Sequence, residues 1–238
     1  MGNRKYKGII HFHSRFSYDS CTPSDYIIRK AKEMNLDFLL LTDHNTTKGS
    51  EYLRDLAKRL GVNIIIPVSA EYSTEMGDII AAFIKNEITY HNYENLISKI
   101  KEQEGVVILP HPYYKHNNIE RLVDDADMIE IYNPYIDQDL NRKAEHTAHT
   151  KKKQGFYGSD SHLRRSFGNI VVYVENKGNL RTSLLAGNIQ YKKITDPGPY
   201  EKTLTQMIKA VKKTDLKLFI MITLKLVRLF IKRLINAY

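Results

Sequence analysis

Short runs of apolar and β-branched residues recur along most of the chain, and longer segments with helical spacing separate several of them. Such runs predict buried strands, and the longer segments predict amphipathic helices. The predicted strands cover residues 8–11, 37–41, 63–68, 78–83, 106–109, 128–131, 155–157 and 169–174. The predicted helices cover residues 23–34, 50–60, 92–104 and 139–154, three of which end at a glycine.

The alternation of strand and helix predicts an α/β fold, in which parallel strands are covered by helices. About eight such units in one domain favour a barrel over an open sheet. At residues 195–199 two prolines flank a glycine, a combination that continues neither a helix nor a central strand. We therefore predict a barrel domain over residues 1–195 and a helical tail over residues 200–238, with the last helix beginning near Asp215.

Composition narrows the class of protein only a little. Apolar residues make up 42% and charged residues 26% of the 238 residues, which are ordinary values for a globular protein. The single cysteine, Cys21, excludes an intramolecular disulfide, and the first residues have no apolar core of the kind found in secretory signals. A cytoplasmic location is expected, with membrane association left open.

The net charge of +9 is concentrated at one end of the chain. Residues 201–238 contain nine Lys and Arg against two Asp and Glu, a net charge of +7, which leaves +2 for the other 200 residues. A basic tail on a nearly neutral body favours contact with an anionic surface. It disfavours nucleic acid as a stable partner, because that would call for a charged groove across the body.

The basic residues of the tail follow a helical pattern. At 100° per residue Lys217, Lys225, Arg228 and Lys232 fall within about 80°, opposite a broad apolar face. Charges interrupt the apolar stretch too early for a membrane span. Residues 215–238 are therefore expected to lie on an anionic membrane surface, or to pack their apolar face on the barrel or on a second subunit.

Histidines and carboxylates follow the ends of successive predicted strands. The first strand leads into His11-Phe12-His13, and side chains two apart in an extended chain point to the same face. Asp19, Asp43-His44, Glu71, His111 and Asp160-Ser161-His162 come after this strand or after later ones. A barrel brings such positions to one mouth, and mixed imidazole and carboxylate ligands suit Mn²⁺, Fe²⁺ or Zn²⁺. The pattern predicts an open, catalytic metal cluster.

Taken in order, these motifs resemble the PHP phosphoesterases, a family named for polymerase and histidinol phosphatase. The matching segments are His11-Phe12-His13-Ser14, Ser17-Tyr18-Asp19-Ser20, Thr42-Asp43-His44, Glu71-Tyr72-Ser73-Thr74, His111-Pro112 and Gly158-Ser159-Asp160-Ser161-His162. The resemblance covers about residues 7–192. It implies a distorted (β/α)7 TIM-like barrel with two or three divalent ions at the carboxyl ends of the strands.

The resemblance also implies a role for each motif residue. One ion would bind His11, His13, Glu71 and Asp160; a second would share Glu71 and add His111; a third would bind Asp19, His44 and His162. Asp78 occupies the place of a family histidine, although it is also a reasonable turn residue. Glu71, Asp160 and His111 are the expected catalytic residues, and Asp43 is expected to orient an imidazole.

The reaction expected from such a site is hydrolysis of a phosphate ester by metal-activated water. Lys115, Arg15 and Arg164 follow the motifs and are candidates for binding the phosphate. The substrate is expected to be a small phosphorylated molecule, a nucleotide or another phosphate ester. Two alternatives stay open: a phosphotyrosine-protein phosphatase, and a non-catalytic metal-binding module attached to a membrane surface.

Overall fold

The structure is a computed structural model, which describes residues 5–89 and 92–235. In these ranges the strands are β1 (Lys5–Ile10), β2 (Phe38–Leu40), β3 (Ser69–Thr74), β4 (Gly77–Ala82), β5 (Val106–Leu109), β6 (Met128–Tyr132), β7 (Gln154–Tyr157), β8 (Ile170–Glu175) and β9 (Ile189–Lys193). The α-helices are α1 (Ser24–Glu33), α2 (Lys48–Arg59), α3 (Tyr93–Glu102), α4 (Ile119–Asp125), α5 (Gln138–Thr150), α6 (Leu180–Ala186), α7 (Glu201–Lys212) and α8 (Leu216–Ile235).

The strands form two sheets, with the orders β2-β1-β8-β9 and β3-β4-β5-β6-β7. β1 pairs with β2 in parallel and with β8 antiparallel, while β4 is antiparallel to both of its neighbours. Only two residues, Glu75 and Met76, join β3 to β4, and so short a connection permits only an antiparallel pair. The fold is mixed α/β, and the described residues close no barrel, so the predicted (β/α)7 barrel is not confirmed.

Three apolar layers hold the two sheets and their helices together. The inner faces of both sheets share one core, in which Ile10 and Leu40 of the first sheet join Ile80 and Ile108 of the second. α1 and α2 cover the outer face of the first sheet, and α3, α4 and α5 cover that of the second. Neighbouring residues alternate between layers: Ile9 belongs to the outer core and Ile10 to the inner one.

Most predicted elements are confirmed, and the errors have local causes. All four predicted helices are present, with ends that differ by one to four residues. The strand predicted at residues 63–68 is wrong: only Ile65 forms an isolated bridge, to Phe38, and the strand starts at Ser69. Pro67 lacks a backbone N–H and therefore fits poorly in a strand interior. β9 was not predicted, because its sequence, IQYKK, is mostly exposed and basic.

Backbone hydrogen bonds join the two sheets where their strands end. Beyond β1 and β7, Ser159 N donates to Ile10 O at 2.9 Å and His13 N donates to Ser161 O at 2.9 Å. Beyond β2, Asn45 N donates to Glu71 O, in β3, at 2.7 Å. These two sets of hydrogen bonds bring the carboxyl ends of β1, β2 and β7 to one mouth with the first half of β3, which is where the motif residues lie.

The two C-terminal helices follow the segment of residues 195–199, where the domain boundary was placed; that division stays a prediction. α7 is fixed at both ends. The buried Glu201 accepts a hydrogen bond from Tyr135 Oη at 2.5 Å and lies 2.9 Å from Arg165 Nε. Lys212 Nζ donates to the carbonyl oxygens of Arg15, Ser17 and Ser20 at 2.6–2.8 Å. The first helix of the tail is therefore anchored across the mouth.

α8 returns toward the same mouth and packs on α7, with Ile222 buried. Within residues 5–89 and 92–235, no helix is both long enough and apolar enough to cross a bilayer. Residues 236–238 of the predicted tail and the side chain of Lys232, part of the predicted basic stripe, lie outside what the structure describes.

Candidate metal centre

Eight of the nine predicted metal ligands converge at the mouth between the two sheets. Their side-chain donor atoms form three groups, in each of which all the donor atoms lie within 4.8 Å of one another. The groups are His11, His13 and Asp160; His11, Glu71 and His111; and His13, Asp19, His44 and His162. The geometry thus joins residues spread over 150 positions of the chain, and the groups share His11 and His13.

The first predicted ion site has the spacing of a metal site. His11 Nε2 lies 3.5 Å from Glu71 Oε2 and 3.4 Å from Asp160 Oδ1, and His13 Nε2 lies 3.4 Å from both oxygens. Ligand bonds of about 2.0–2.1 Å in a tetrahedral site place neighbouring ligand atoms about 3.3–3.4 Å apart. Each of the two imidazole nitrogens is therefore spaced from both carboxylate oxygens as ligands of one ion would be, whereas Glu71 and Asp160 fall in different donor groups.

Glu71 is the only carboxylate among the three donor groups whose two oxygens face different histidines. Oε1 lies 3.3 Å from His111 Nε2, whereas Oε2 faces His11 and His13 and lies 3.4 Å from His44 Nδ1. One carboxylate that faces two sets of donors can bridge two ions, which is the role that the resemblance implies for Glu71.

Asp19 is the centre of the third predicted ion site. Its Oδ2 lies 3.2 Å from His44 Nε2 and 3.3 Å from His162 Nε2, and Ser17 Oγ donates to its Oδ1 at 2.8 Å. His162 Nδ1 lies 2.8 Å from the carbonyl oxygen of Asp160. A proton on Nδ1 makes that hydrogen bond and leaves the lone pair of Nε2 directed at Asp19 and its neighbours.

Several buried donor atoms at the centre have no hydrogen-bond partner. Within the part of the chain that the structure describes, these are His11 Nε2, His13 Nδ1 and Nε2, His44 Nδ1, His111 Nδ1 and both carboxylate oxygens of Glu71. Buried polar atoms almost always find a partner, because leaving them unpaired is costly. A cluster of unpaired imidazole and carboxylate atoms matches the ligands that Mn²⁺, Fe²⁺ and Zn²⁺ prefer. The residues present fit divalent metal ions.

Burial and neighbouring charges shift the pKa values of the histidines at the centre in different directions. Burial opposes protonation of His111, but the negative charge of Glu71, 3.3 Å away, outweighs it and raises the pKa of His111 to about 9. Burial likewise opposes protonation of His162, and Asp19 raises the pKa of that histidine to about 9. Burial and the nearby His162 lower the pKa of His13 to about 4. In the metal-free chain, the imidazoles of His111 and His162 are therefore protonated at neutral pH, although they would have to lose a proton to bind a metal.

Glu130 supports the centre from behind, a role that the sequence analysis missed. Its Oε1 lies 2.8 Å from His11 Nδ1, and its Oε2 accepts from the backbone N of His111 at 2.7 Å and from Asn133 Nδ2 at 3.1 Å. A Cβ at Gly158 would lie 1.6 Å from Glu130 Oε1, so this position needs glycine. A lone acid within the apolar strand β6 was the available signal.

Asp43 does not orient an imidazole, so that prediction is wrong. Its carboxylate accepts hydrogen bonds at 2.6 Å from the backbone N and from the Oγ of Ser14. A Cβ at Gly49 would lie 1.7 Å from Asp43 Oδ2. Burial raises the pKa of Asp43 to about 6, although both Ser14 hydrogen bonds oppose that shift. Asp43 therefore fixes the loop that follows His13.

Three of the proposed ligands have an unusual backbone conformation. The φ angles of His11, His111 and Asp160 are 60°, 29° and 46°, in a region that residues other than glycine rarely adopt. Such conformations cost about 1–3 kcal/mol each and concentrate at functional sites. The fold therefore holds these side chains in place at a cost to its own stability.

A cavity of about 490 Å³ opens above the centre. Asp78 and Lys115 line it, but Asp78 belongs to none of the three donor groups found among the described residues. Arg15 and Arg164 are not among the lining residues; their guanidinium carbons lie 5.8 and 5.6 Å from the ring centroids of Phe16 and Tyr26. Of the three phosphate candidates, only Lys115 reaches the cavity.

The opposite wall of the cavity comes from the C-terminal helices, which the sequence analysis treated as a separate tail. Lys202 and Lys209 of α7 and Lys225 of α8 line it. Tyr18 lies between this wall and the centre: its ring stacks on His44 at 4.6 Å, and Lys209 Nζ lies 5.1 Å from its centroid.

The family model for the PHP domain matches residues 10–218, which include both the centre and α7.

The chain belongs to the PHP domain family. A curated relative, an uncharacterized protein of Methanocaldococcus jannaschii, is 36% identical over 135 residues, which are 55% of this chain and 78% of that protein.

Solved structures have a similar fold at low sequence identity. A two-domain protein from Bacteroides vulgatus containing a predicted PHP-like metal-dependent phosphoesterase has a TM-score of 0.68 at 17% identity over 79% of this chain, which spans 65% of that protein. PsfC from Pseudomonas syringae has a TM-score of 0.61 at 14% identity, covering 89% of this chain and 99% of PsfC. A candidate metal-dependent phosphoesterase from Bifidobacterium adolescentis has a TM-score of 0.52 at 14% identity, covering 88% and 97%.

Proposed function

We propose that this PHP protein is a metal-dependent phosphoesterase, a hydrolase that cleaves a phosphate ester with an activated water. The observation that carries the proposal is the convergence of buried, unpaired imidazole and carboxylate atoms at the mouth of the fold. The family match supports it, as do the two structural neighbours named as phosphoesterases. We place the activity in the cytoplasm.

The proposed ligands form two or three ion sites for Mn²⁺, Fe²⁺ or Zn²⁺. The first uses His11, His13, Glu71 and Asp160; the second shares Glu71 and adds His111, with Asp78 at the edge of the cavity; the third uses Asp19, His44 and His162. Glu71 faces both the first and the second of these sites, and its two oxygens lie within 3.3–3.5 Å of their histidines.

When bound at such a cluster, divalent cations supply the Lewis acidity that activates water and offsets charge on phosphate oxygens. The residues of the chain provide position and selectivity. Glu130 holds the His11 ring so that Nε2 faces the centre. Lys115 lines the cavity, where its ammonium group can bind a phosphate oxygen. The volume of about 490 Å³ suits a small phosphate ester, such as a nucleotide.

Metal analysis followed by an ester panel tests this function. The chain is purified without added metal, its metal content is measured, and hydrolysis of nucleotides, sugar phosphates, phosphodiesters and a phosphotyrosine peptide is compared with and without Mn²⁺. We expect bound divalent metal, and hydrolysis that a chelator abolishes and Mn²⁺ restores. Bound metal without turnover of any ester would favour the non-catalytic module, and preference for the peptide would favour the phosphotyrosine-protein phosphatase.

A further inference from the structure

The lysines on the wall opposite the centre form a row on one helix face. Lys202, Thr205, Gln206 and Lys209 line the cavity at positions i, i+3, i+4 and i+7 of α7, and Lys225 of α8 adds a third ammonium group. The anchors Glu201 and Lys212 lie at the two ends of the same helix, so this face is fixed toward the cavity.

These ammonium groups have no acidic partner in the part of the chain that the structure describes. Lys202, Lys209, Lys225 and Lys115 take part in no ion pair within 4.0 Å among residues 5–89 and 92–235, although the cavity also contains Asp19, Glu71, Asp78 and Asp160. Among the described residues, direct ion pairs with the acids of the centre therefore do not hold these lysines in place. Unpaired cations that line a cavity attract an anion.

We propose that Lys202, Lys209 and Lys225 bind a second anionic group of the substrate, distinct from the phosphate that is hydrolysed. The scissile phosphate belongs at the centre, which Tyr18 separates from Lys209. The substrate class is thus a phosphate ester with a second phosphate elsewhere in the molecule. This inference rests on the proposed function, because it assigns the scissile phosphate to the metal centre.

Matched pairs of ligands test the second subsite. The substrates are alkanediol monophosphates and the corresponding bisphosphates, in a series of increasing chain length, with Mn²⁺ present. We expect the unmodified enzyme to prefer a bisphosphate of one optimal length. The triple variant Lys202→Gln/Lys209→Gln/Lys225→Gln should lose about tenfold or more in kcat/KM for that bisphosphate, and less than about twofold for the monophosphate.

The control variant makes the same charge change elsewhere: Lys32→Gln/Lys58→Gln/Lys192→Gln, three exposed lysines that do not line the cavity. It should behave as the unmodified enzyme. Equal losses for both substrates in the triple variant, or equal behaviour of the triple and control variants, would overturn the subsite.

A binding measurement separates the subsite from the hydrolytic function. Alkane bisphosphonates and monophosphonates have carbon–phosphorus bonds that a phosphoesterase does not cleave, so their affinities can be measured by calorimetry. Tighter binding of the bisphosphonate, lost in the triple variant, supports the subsite even if no ester is hydrolysed. Hydrolysis of monophosphates without any preference for a second phosphate supports the phosphoesterase and rejects the subsite.

A different observation, on the outer face of α8, carries a second proposal. Leu216, Ile220, Leu224, Val227 and Ile231 are 48–70% exposed, and at 100° per residue they fall within about 80° of one another. Lys217 and Arg228 lie beside this stripe, and α8 contains no Asp or Glu. We infer that this stripe binds an anionic lipid surface, because a second copy of α8 would place like charges together whereas anionic headgroups neutralise them.

Vesicle sedimentation tests the membrane surface with the full chain. We expect binding to phosphatidylcholine vesicles with about 30 mol% phosphatidylserine, weaker binding in high salt, and little binding to phosphatidylcholine alone. Ile220→Glu/Leu224→Glu should abolish binding, whereas Leu60→Glu/Ile65→Glu, which changes exposed apolar residues elsewhere, should not. A stable dimer without lipid that Ile220→Glu/Leu224→Glu dissociates, or absence of binding to both vesicles, would overturn the proposal.

Discussion

The metal centre forms the floor of the cavity, and the wall made by α7 and α8 forms its roof. These two sides of the cavity are built in opposite ways. The floor consists of strand ends from both sheets, and its donor atoms are buried, closely spaced and backed by further hydrogen bonds, such as those of Glu130. The roof consists of two helices from the end of the chain, and its lysines are partly exposed and have no acidic partner in the described residues. The floor is preorganised down to its side chains, whereas in the roof the helix α7 is anchored but the lysine side chains that line the cavity form no ion pair with the described residues.

This difference suggests a division of labour. A preorganised set of ligands fixes the metal chemistry, which tolerates little displacement. A row of flexible lysines on one helix face can be altered one residue at a time and therefore sets which anion fits. Substitutions in the floor should abolish activity and metal binding together, and those in the roof should give graded effects.

The largest effect is expected from His13, which belongs to two donor groups. His13→Ala should lower kcat by at least about a thousandfold and release metal while the fold persists, because the variant removes a ligand from the preorganised set. Metal content and hydrolysis are measured on the same sample. His146→Ala, which removes an exposed histidine of α5, is the control and should change neither. Full activity in His13→Ala would rule out the site assignment.

Glu130→Gln tests whether the floor depends on its supporting hydrogen bonds. The amide keeps the shape of the side chain but removes the negative charge next to His11 Nδ1. Metal affinity should fall about 10- to 100-fold, as is usual when a group that orients a ligand is lost. Metal titration of the apoprotein measures this change, with Glu145→Gln on the exposed face of α5 as the control. An unchanged affinity would mean that His11 needs no support.

The pH dependence of metal binding follows from the raised pKa values of the floor. Glu71 and Asp19 raise the pKa values of His111 and His162 to about 9, so both are protonated at pH 7 in the metal-free chain. A cation must displace these protons, so affinity should rise about tenfold per pH unit for each displaced proton and level off above about pH 9. Calorimetry in buffers of different ionisation enthalpy counts the protons. Absence of proton release at pH 7 would contradict this assignment.

The smallest effect is expected from an anchor of the roof. Lys212→Met keeps the length of the side chain but removes its hydrogen bonds to three carbonyl oxygens. The free energy of unfolding should fall by about 1–2 kcal/mol, and KM should rise severalfold with bound metal retained. Denaturant unfolding and steady-state kinetics measure the two effects, with Lys58→Met as the control. Complete loss of metal in Lys212→Met would show that floor and roof are not separable.

The floor could be predicted from the sequence because most of its residues occur in short motifs that follow strand ends, although Glu71 lies within β3 and the strand predicted before it is absent. A strand end is a local property, and eight of the nine predicted ligands converge. Asp78 is the exception: it starts β4 and lines the cavity, but it lies apart from the three donor groups of the described chain. Whether the Asp78 carboxylate reaches an ion depends on the conformation of the β3–β4 hairpin that carries it. No sequence motif specifies that conformation.

The roof could not be predicted, because it depends on contacts over nearly 200 positions. A helical tail was predicted, with its last helix beginning near Asp215, but not that Lys212 would bind the carbonyl oxygens of residues 15–20. Arg15 and Arg164 were better candidates by proximity to motifs, yet they lie on other surfaces. Closure of the barrel is not confirmed for a similar reason, because strand direction depends on connections such as the short one between β3 and β4.

The three carbonyl oxygens that surround Lys212 Nζ have a consequence for how the molecule is made. They belong to the loop that carries Asp19, which is synthesised nearly 200 residues before the ammonium group that joins them. The mouth of the nascent protein therefore stays open until α7 has been synthesised. A chain that stops before α7 would contain all eight converging ligands but neither Lys212 nor the helix that covers them.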